Sequence, residues 1–395
     1  MSEIRNIVIL GASCSGLAAA HYIARHTLPQ LAKAKDAKYE LHLVDESTHF
    51  WWHIGAPREI VSVKEMPHEK YFVPVMDGFK QYSSLKDSII FHHGSATGVD
   101  LETRHVTFKP HGGEATEILP YHALVLATGI RSPTPTTTLH GDHTISMKAL
   151  EEMNTRLSTA KEVIIGGGGP VAVETAGEIG AHMKGRARIS LIAGGDKILP
   201  VLRKQLAEKA QKQLEKVGVT VLYKTKVESY QENPEGKTEV QLSNGKSMTC
   251  DVYIPAIGVT PNSSFLPKSI LKENGYVATN PLTLRVDGAG QRVYAVGDLA
   301  QVDKGGVLNL FNAIPVFGAN FSHDLLDDAK LGNVAERSYK KSDGETQMVP
   351  VGPKTGVGAF NGWRAPGFAV AMFKGKDYMA GEMPGITHGN KFAKA

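Results

Sequence analysis

VIIGGGGPVAVETAGEI, residues 163–179, is the stretch on which the fold turns. Val163, Ile164 and Ile165 are β-branched, four glycines follow, and the pattern from Pro170 onward is helical, so the segment reads as strand, tight turn and helix. With Gly167, Gly169 and Ala172 as the small positions the turn is G-x-G-x-x-A. Gly167 permits the turn, Gly169 lets the backbone approach a pyrophosphate, and Ala172 lets helix and strand pack closely. The phosphates are expected on the helix N-terminus, where free N–H groups and the helix dipole favour anions. This dinucleotide-binding unit lies mid-chain, so a different unit must occupy the first part.

N-terminal to it, Ile4–Leu10 reads as a buried strand and residues 17–26 as a helix, joined by Gly11-Ala12-Ser13-Cys14-Ser15-Gly16. This is a second fingerprint with Ser13 in place of the middle glycine, so the Ser13 side chain must turn away from a pyrophosphate or donate to it. Tyr39–Val44 is the next strand and ends at Asp45, placed for a ribose hydroxyl. The spacing is about ten residues longer than the fingerprint expects, which assigns the polar stretch 30–38 to a surface insertion. In His49-Phe50-Trp51-Trp52-His53 the tryptophans are read as core or as one wall of a flavin site. No acid or cysteine completes a ligand set with His49 and His53, so no metal is expected. Residues 88–108 alternate as a β-meander, with Gly94-Ser95-Ala96 turning beneath an adenine. Ala123–Gly129 is a strand running into Thr128-Gly129, and residues 132–138, rich in proline and threonine, mark a domain boundary.

C-terminal to the opening stretch, Arg188–Ile192 is a strand followed by Ala193-Gly194-Gly195. There is no acid at its tip for an NAD ribose and no adjacent arginine for an NADP phosphate, and Asp196 comes late for the first role, so the choice of nucleotide stays open. Residues 205–216 read as a helix, 219–241 as strands, and 251–261 as a strand running into a glycine turn. Val293–Asp298 returns the chain to the first domain and delivers Gly297 beside a phosphate and Asp298 beside sugar hydroxyls. Pro315 is expected as the first residue of a helix over 316–326 whose N-terminus faces the flavin and stabilises its reduced anion. Strands around Met348 and Val357 and a short apolar helix over 366–373 complete the chain.

The 395 residues are 42% hydrophobic and 21% charged, ordinary for a soluble protein. A net charge of +4 without a dense basic run argues against nucleic acid. Two cysteines exclude a disulfide framework and suggest a reducing, cytoplasmic setting. No run reaches the roughly 20 apolar residues of a membrane span. Met1–Glu3 leaves no room for a signal peptide, and Ser2 stands where N-myristoylation needs glycine.

Taken together, the N-terminal loop, Ala127-Thr128-Gly129, GGGPVAVETAGEI, Gly258 with Pro261-Asn262, Tyr294–Asp298 and Lys374–Met379 resemble the two-dinucleotide-binding flavoprotein oxidoreductases. The resemblance is to the apoptosis-inducing-factor-like branch that includes ferroptosis suppressor protein and the type II NADH dehydrogenases. It implies an α/β fold with two Rossmann-like domains, the NAD(P) domain inserted into the FAD domain, plus a small C-terminal α+β segment. The expected boundaries are 1–133 and 259–335 for FAD, 134–258 for NAD(P)H and 336–395 for the C-terminal domain. The resemblance places FAD on Gly11, Ser13, Gly16, Asp45, Arg58, Ala96, Thr128, Gly129, Gly297 and Asp298, and NAD(P)H on Gly167, Gly169, Ala172 and Glu174. Glu174 and Lys374 are the catalytic candidates, and Trp52, His53, Pro315 and Met379 the acceptor pocket. Disulfide reductases of this class carry a redox cysteine pair near residue 50; none is present here, which excludes a thiol relay.

The implied reaction is hydride transfer from NAD(P)H to flavin N5 and then transfer to a small acceptor, a quinone being the first choice. Oxygen or a small biosynthetic intermediate is the alternative acceptor. A third reading is a redox sensor acting through Phe368–Phe373, a segment also open to membrane-surface contact, dimer contact or ordinary packing in its own domain. Homo-oligomerisation is left open.

Overall fold

The computed structural model describes residues 3–332, 334–342 and 344–394; Ser2, with the anchor question attached to it, lies outside them. A seven-stranded sheet organises the first domain, in the order Val293–Ala295, Ala123–Leu126, Glu3–Leu10, Ala37–Asp45, Ile89–Asp100, His105–Pro110, Glu117–Pro120. Its first five strands are parallel, with Ile7 opposite both Leu41 and Ala123. Ile7–Leu10 is buried throughout because a parallel sheet is covered on both faces, which is why this strand reads as an unbroken apolar run. Leu17, Ala18, Ala19 and Ala20 of the helix Cys14–Tyr22 are fully buried, and their small side chains let the long helix Val307–Asp328 pack alongside. Phe317 and Phe321 of that helix meet Tyr294 edge-on at 5.5 and 5.4 Å, tying it to the last strand of the sheet.

The second domain is a parallel four-stranded sheet in the order Val219–Leu222, Arg188–Ile192, Glu162–Gly166, Val252–Pro255. A three-stranded antiparallel sheet over residues 227–250 covers it. The chain leaves the first sheet after Ala123–Leu126 and re-enters it at Val293–Ala295, so the second domain is inserted into the first. Exit and return run side by side: Ile130–Arg131 pairs antiparallel with Thr260–Pro261. The C-terminal segment adds a three-stranded antiparallel sheet, Gln347–Pro350, Gly356–Phe360 and Trp363–Ala365, and short helical turns. No helix among the described residues is long and apolar enough to cross a membrane.

Three local expectations are corrected. The first helix does not stop near His26 before a surface insertion; it continues through a π turn at Ile23–Thr27 and on to Leu31, because Leu28 and Leu31 bury against the core. Gly94-Ser95-Ala96 make no turn: they lie inside the strand Ile89–Asp100, where Gly94 is needed because a Cβ would come 2.5 Å from the Lys109 carbonyl oxygen. Pro315 is not a first helical residue but lies within Val307–Asp328. An interior proline costs about 3 kcal/mol; burial of Leu310, Ile314, Phe317 and Phe321 along one helix offsets it.

At Gly16, where the first helix crosses its loop, a Cβ would stand 1.7 Å from the Gly11 carbonyl oxygen. Gly16→Ala is therefore expected to cost about 1–3 kcal/mol or more through backbone displacement, read as a lower midpoint in urea unfolding; an unchanged midpoint would show that the loop has room.

Candidate functional site

Gly11 and Gly167 occupy the same place in their two units. Both have positive φ (+98° and +128°), and a Cβ would come 2.5 Å from the Ala127 carbonyl oxygen in one and 2.1 Å from that of Ala256 in the other. Only glycine fits such a turn. Gly169 caps the helix Pro170–Met183, and a Cβ there would meet no atom within 4 Å, so the helix N-terminus faces open space that suits a pyrophosphate. Ala172 is buried between helix and strand.

A cavity of about 1050 Å³ runs from the first loop to the edge of the second. Gly11, Ser13, Asp45, Ala96, Thr128, Gly129, Gly297 and Asp298 line it, and so do His53, Lys374 and Met379; from the inserted domain Thr138, Leu139, Gly141, Pro170 and Val201 reach it. The Asp45 carboxylate accepts from Ala12 N at 2.5 Å and Ser47 N at 2.8 Å, which fixes it at the strand tip. Burial pushes the Asp45 carboxyl up to about 6 despite those bonds. Thr128 Oγ1 donates to the Asn262 carbonyl at 2.6 Å and Asn262 Nδ2 donates to that of Thr128 at 2.8 Å, so the exit and return segments hold each other. Asp298 accepts from Gly306 N at 3.0 Å and pins the turn that starts the long helix. The glycine turn of the first loop, a fixed carboxylate at the strand tip and the cavity beside them fit a bound dinucleotide such as FAD.

The helix end that faces this cavity is Gly306–Leu310 rather than Pro315, which does not line it. Trp52 is not a cavity wall either: it is fully buried and its indole N–H donates to the Tyr378 carbonyl at 2.9 Å, the core alternative of the two readings. His53 does face the cavity; its Nδ1 lies 3.4 Å from the Trp51 carbonyl, and burial lowers its pKa against the pull of Asp298. The Cys14 thiol, also on the cavity wall, is pushed up to about 12 by burial and by Asp298, and both cysteines are free.

Arg58 departs furthest from expectation. It does not line the cavity but joins a buried cluster, its guanidinium donating to Glu178 at 2.8 Å and to the carbonyls of Gly375 and Lys376 at 2.6 Å each. The Arg58 guanidinium lies 5.1 Å from the Tyr378 ring centre, and Tyr378 donates to Glu178 at 3.0 Å. One helical turn away, Lys374 Nζ donates to Glu174 at 2.6 Å and to the Met348 carbonyl at 3.3 Å. Burial pushes the Glu174 carboxyl up and Lys374 opposes that shift. Two residue pairs at i,i+4 spacing, Glu174/Glu178 and Lys374/Tyr378, thus mesh across the inserted domain and the C-terminal segment. Sequence reasoning missed Glu178 and Tyr378, whose only signal is that spacing.

Phe368–Phe373 packs on its own domain through the fully buried Val370, whereas Phe368, Met372 and Phe373 are 72%, 61% and 60% exposed, and Met372 and Phe373 line the cavity. For the cluster, Arg58→Met is expected to lose about 3–5 kcal/mol because it strands Glu178 without a cation. Adding Glu178→Leu should recover much of that in denaturant unfolding, with flavin content unchanged throughout; selective loss of flavin from Arg58→Met would return Arg58 to the cofactor site.

A family model described as pyridine nucleotide-disulphide oxidoreductase matches residues 5–315. Oxidoreductase phnG of Penicillium herquei is 40% identical over 413 residues, covering 99% of this chain and 97% of that protein. Human ferroptosis suppressor protein 1 is 27% identical over 387 residues, covering 94% and 93%. The structure of NDH2 from Plasmodium falciparum in complex with NADH superposes with a TM-score of 0.65 over 93% of each chain at 14% identity, a likeness of fold. The chain belongs to the pyridine nucleotide-disulphide oxidoreductases, a family that works with FAD and NAD(P)H.

Proposed function

We propose that this protein is an FAD-dependent NAD(P)H:quinone oxidoreductase. The observation that carries the acceptor is the apolar part of the cavity lining near Lys374: Met348, Phe360, Met372, Phe373 and Met379 contribute to it, and Phe360 is 52% exposed. A flat, apolar acceptor matches such a lining better than a charged one. FAD held along the first loop supplies the two-electron relay between NAD(P)H and the acceptor.

The protein's share is positioning. Gly11, Ser13 and the N-terminus of Cys14–Tyr22 receive the pyrophosphate, Asp45 and Asp298 take sugar hydroxyls, and the Gly306–Leu310 helix end directs its positive dipole into the cavity. Gly167, Gly169 and Pro170 present the nicotinamide nucleotide from the other side. Glu174 fixes the Lys374 ammonium, which adds positive charge beside the reacting rings. A carbonyl can only accept, so the Trp51 contact holds the proton on His53 Nδ1 and leaves Nε2 as the acceptor for an incoming hydroxyl. Metal plays no part in this reading.

Turnover of NAD(P)H with soluble ubiquinone analogues is expected to exceed turnover with oxygen alone; quinone rates no higher than oxygen rates would sink the assignment. Because ionised Asp45 accepts from the ribose, FAD retention should fall as the pH drops through about 6. Filtration of the yellow protein across pH 5–8 measures it. Asp45→Asn should weaken retention at pH 8 and flatten the profile.

A further inference from the structure

The two dinucleotide loops share the hydrogen bond that links the turn glycine to the tip of the next strand. Gly11 N donates to the Val44 carbonyl at 2.8 Å, and the residue after Val44 is Asp45; Gly167 N donates to the Ile192 carbonyl at 2.8 Å, and the residue after Ile192 is Ala193. Ala193 is therefore the counterpart of Asp45, and Gly194 is the position just past the strand tip. A carboxylate at the first of these positions binds a ribose 2′-hydroxyl and repels a 2′-phosphate, whereas a cation beside it accepts the phosphate. Ala193 offers no carboxylate.

The space left by the absent side chain of Gly194 is filled from elsewhere. Lys226 lies over it, with Cγ 2.8 Å and Cε 3.3 Å from where a Cβ would stand. Its backbone is held there: Lys226 N donates to Ser243 Oγ at 2.9 Å and its carbonyl accepts from Ser243 N at 2.9 Å. On the same turn Thr225 N donates to the Ala193 carbonyl at 3.3 Å, and Lys224 N to that of Gly195 at 2.9 Å. The turn after Val219–Leu222 thus brings Lys224 and Lys226 to the strand tip. Both are exposed, and neither side chain has an ion pair among the described residues. Asp196, also exposed, is the opposing charge, but it stands two residues beyond Gly194.

We infer that Lys226, with Lys224 beside it, forms a subsite for the 2′-phosphate of NADPH, so that this chain takes NADPH in preference to NADH. The inference rests on the nucleotide half of the proposed function and is independent of the acceptor. An ammonium on a flexible stem meets a phosphate as a point charge in solvent, so the preference must weaken with salt.

The test is calorimetric titration of the FAD-loaded protein with 2′,5′-ADP and with 5′-AMP, which differ only in the 2′-phosphate. At low salt 2′,5′-ADP is expected to bind at least about tenfold tighter, the size of one charge-assisted contact, and the gap should narrow as ionic strength rises. Lys226→Ala should remove most of the gap and leave 5′-AMP unchanged, and Lys226→Glu should reverse it. The ratio of kcat/KM for NADPH over NADH should fall in the same order. Equal binding of the two nucleotides by the unmodified protein, or an equal loss for both in Lys226→Ala, would overturn the inference. Neither binding result depends on whether a quinone is reduced.

Discussion

The buried ladder of Glu174, Lys374, Glu178, Arg58 and Tyr378 is the constraint on which the rest of the site depends. Withdrawing carboxylates and cations from water costs several kcal/mol per ion, and the cost is offset only where partners meet in good geometry with their remaining donors satisfied. Here Arg58 uses its guanidinium on a carboxylate and two backbone carbonyls, and Lys374 uses its ammonium on a carboxylate and one carbonyl. Gly177, between the two glutamates, lets the helix approach the C-terminal sheet so closely that a Cβ would stand 2.8 Å from Gly352 N. Three segments far apart in sequence are locked in one register. That lock places Lys374 and Met379 on the cavity wall, so this part of the wall is a product of interdomain docking rather than of either dinucleotide unit.

The two units themselves are local constructions. In each, a positive-φ glycine turns the chain at the end of the first strand, the helix begins a few residues later, and the next strand supplies the residue at its tip. They differ in what that tip carries: a fixed carboxylate in the first, and a bare backbone screened by lysines from a neighbouring turn in the second. One architecture therefore holds a resident group in one place and receives a diffusing one in the other.

What could be read from sequence follows the same division. Strand, glycine turn and helix are encoded within some twenty residues, so both units, the strand delivering Asp298 and the return of the chain were legible. The resemblance implies a cofactor role for Arg58 and an acceptor-pocket role for Trp52; their partners, Glu178 and Tyr378, lie far along the chain and leave no local trace. Pro315 shows a local rule losing to a global one, since proline favours a first turn but the apolar stripe on both sides of it was worth more buried in one helix. Gly94 was read as a turn signal where the glycine serves close strand approach instead. The lysines at the second strand tip leave no signal beside Ile192 for a related reason: they come from the turn after the next strand.

The side-by-side pairing of Ile130–Arg131 with Thr260–Pro261 has a consequence for the order in which the molecule assembles. Everything between those two dipeptides begins and ends at one point, so the inserted sheet can close on itself while the chain is still being synthesised. The first sheet cannot: Ala123–Leu126 waits for Val293–Ala295, which emerges only after the whole insert. Until then it presents an unpaired parallel edge, the kind of slow, non-local pairing that exposes a nascent chain to misassociation. Closure of the insert brings Thr260 beside Arg131 and shortens the loop that Val293–Ala295 must close, making the second domain an internal guide for completing the first.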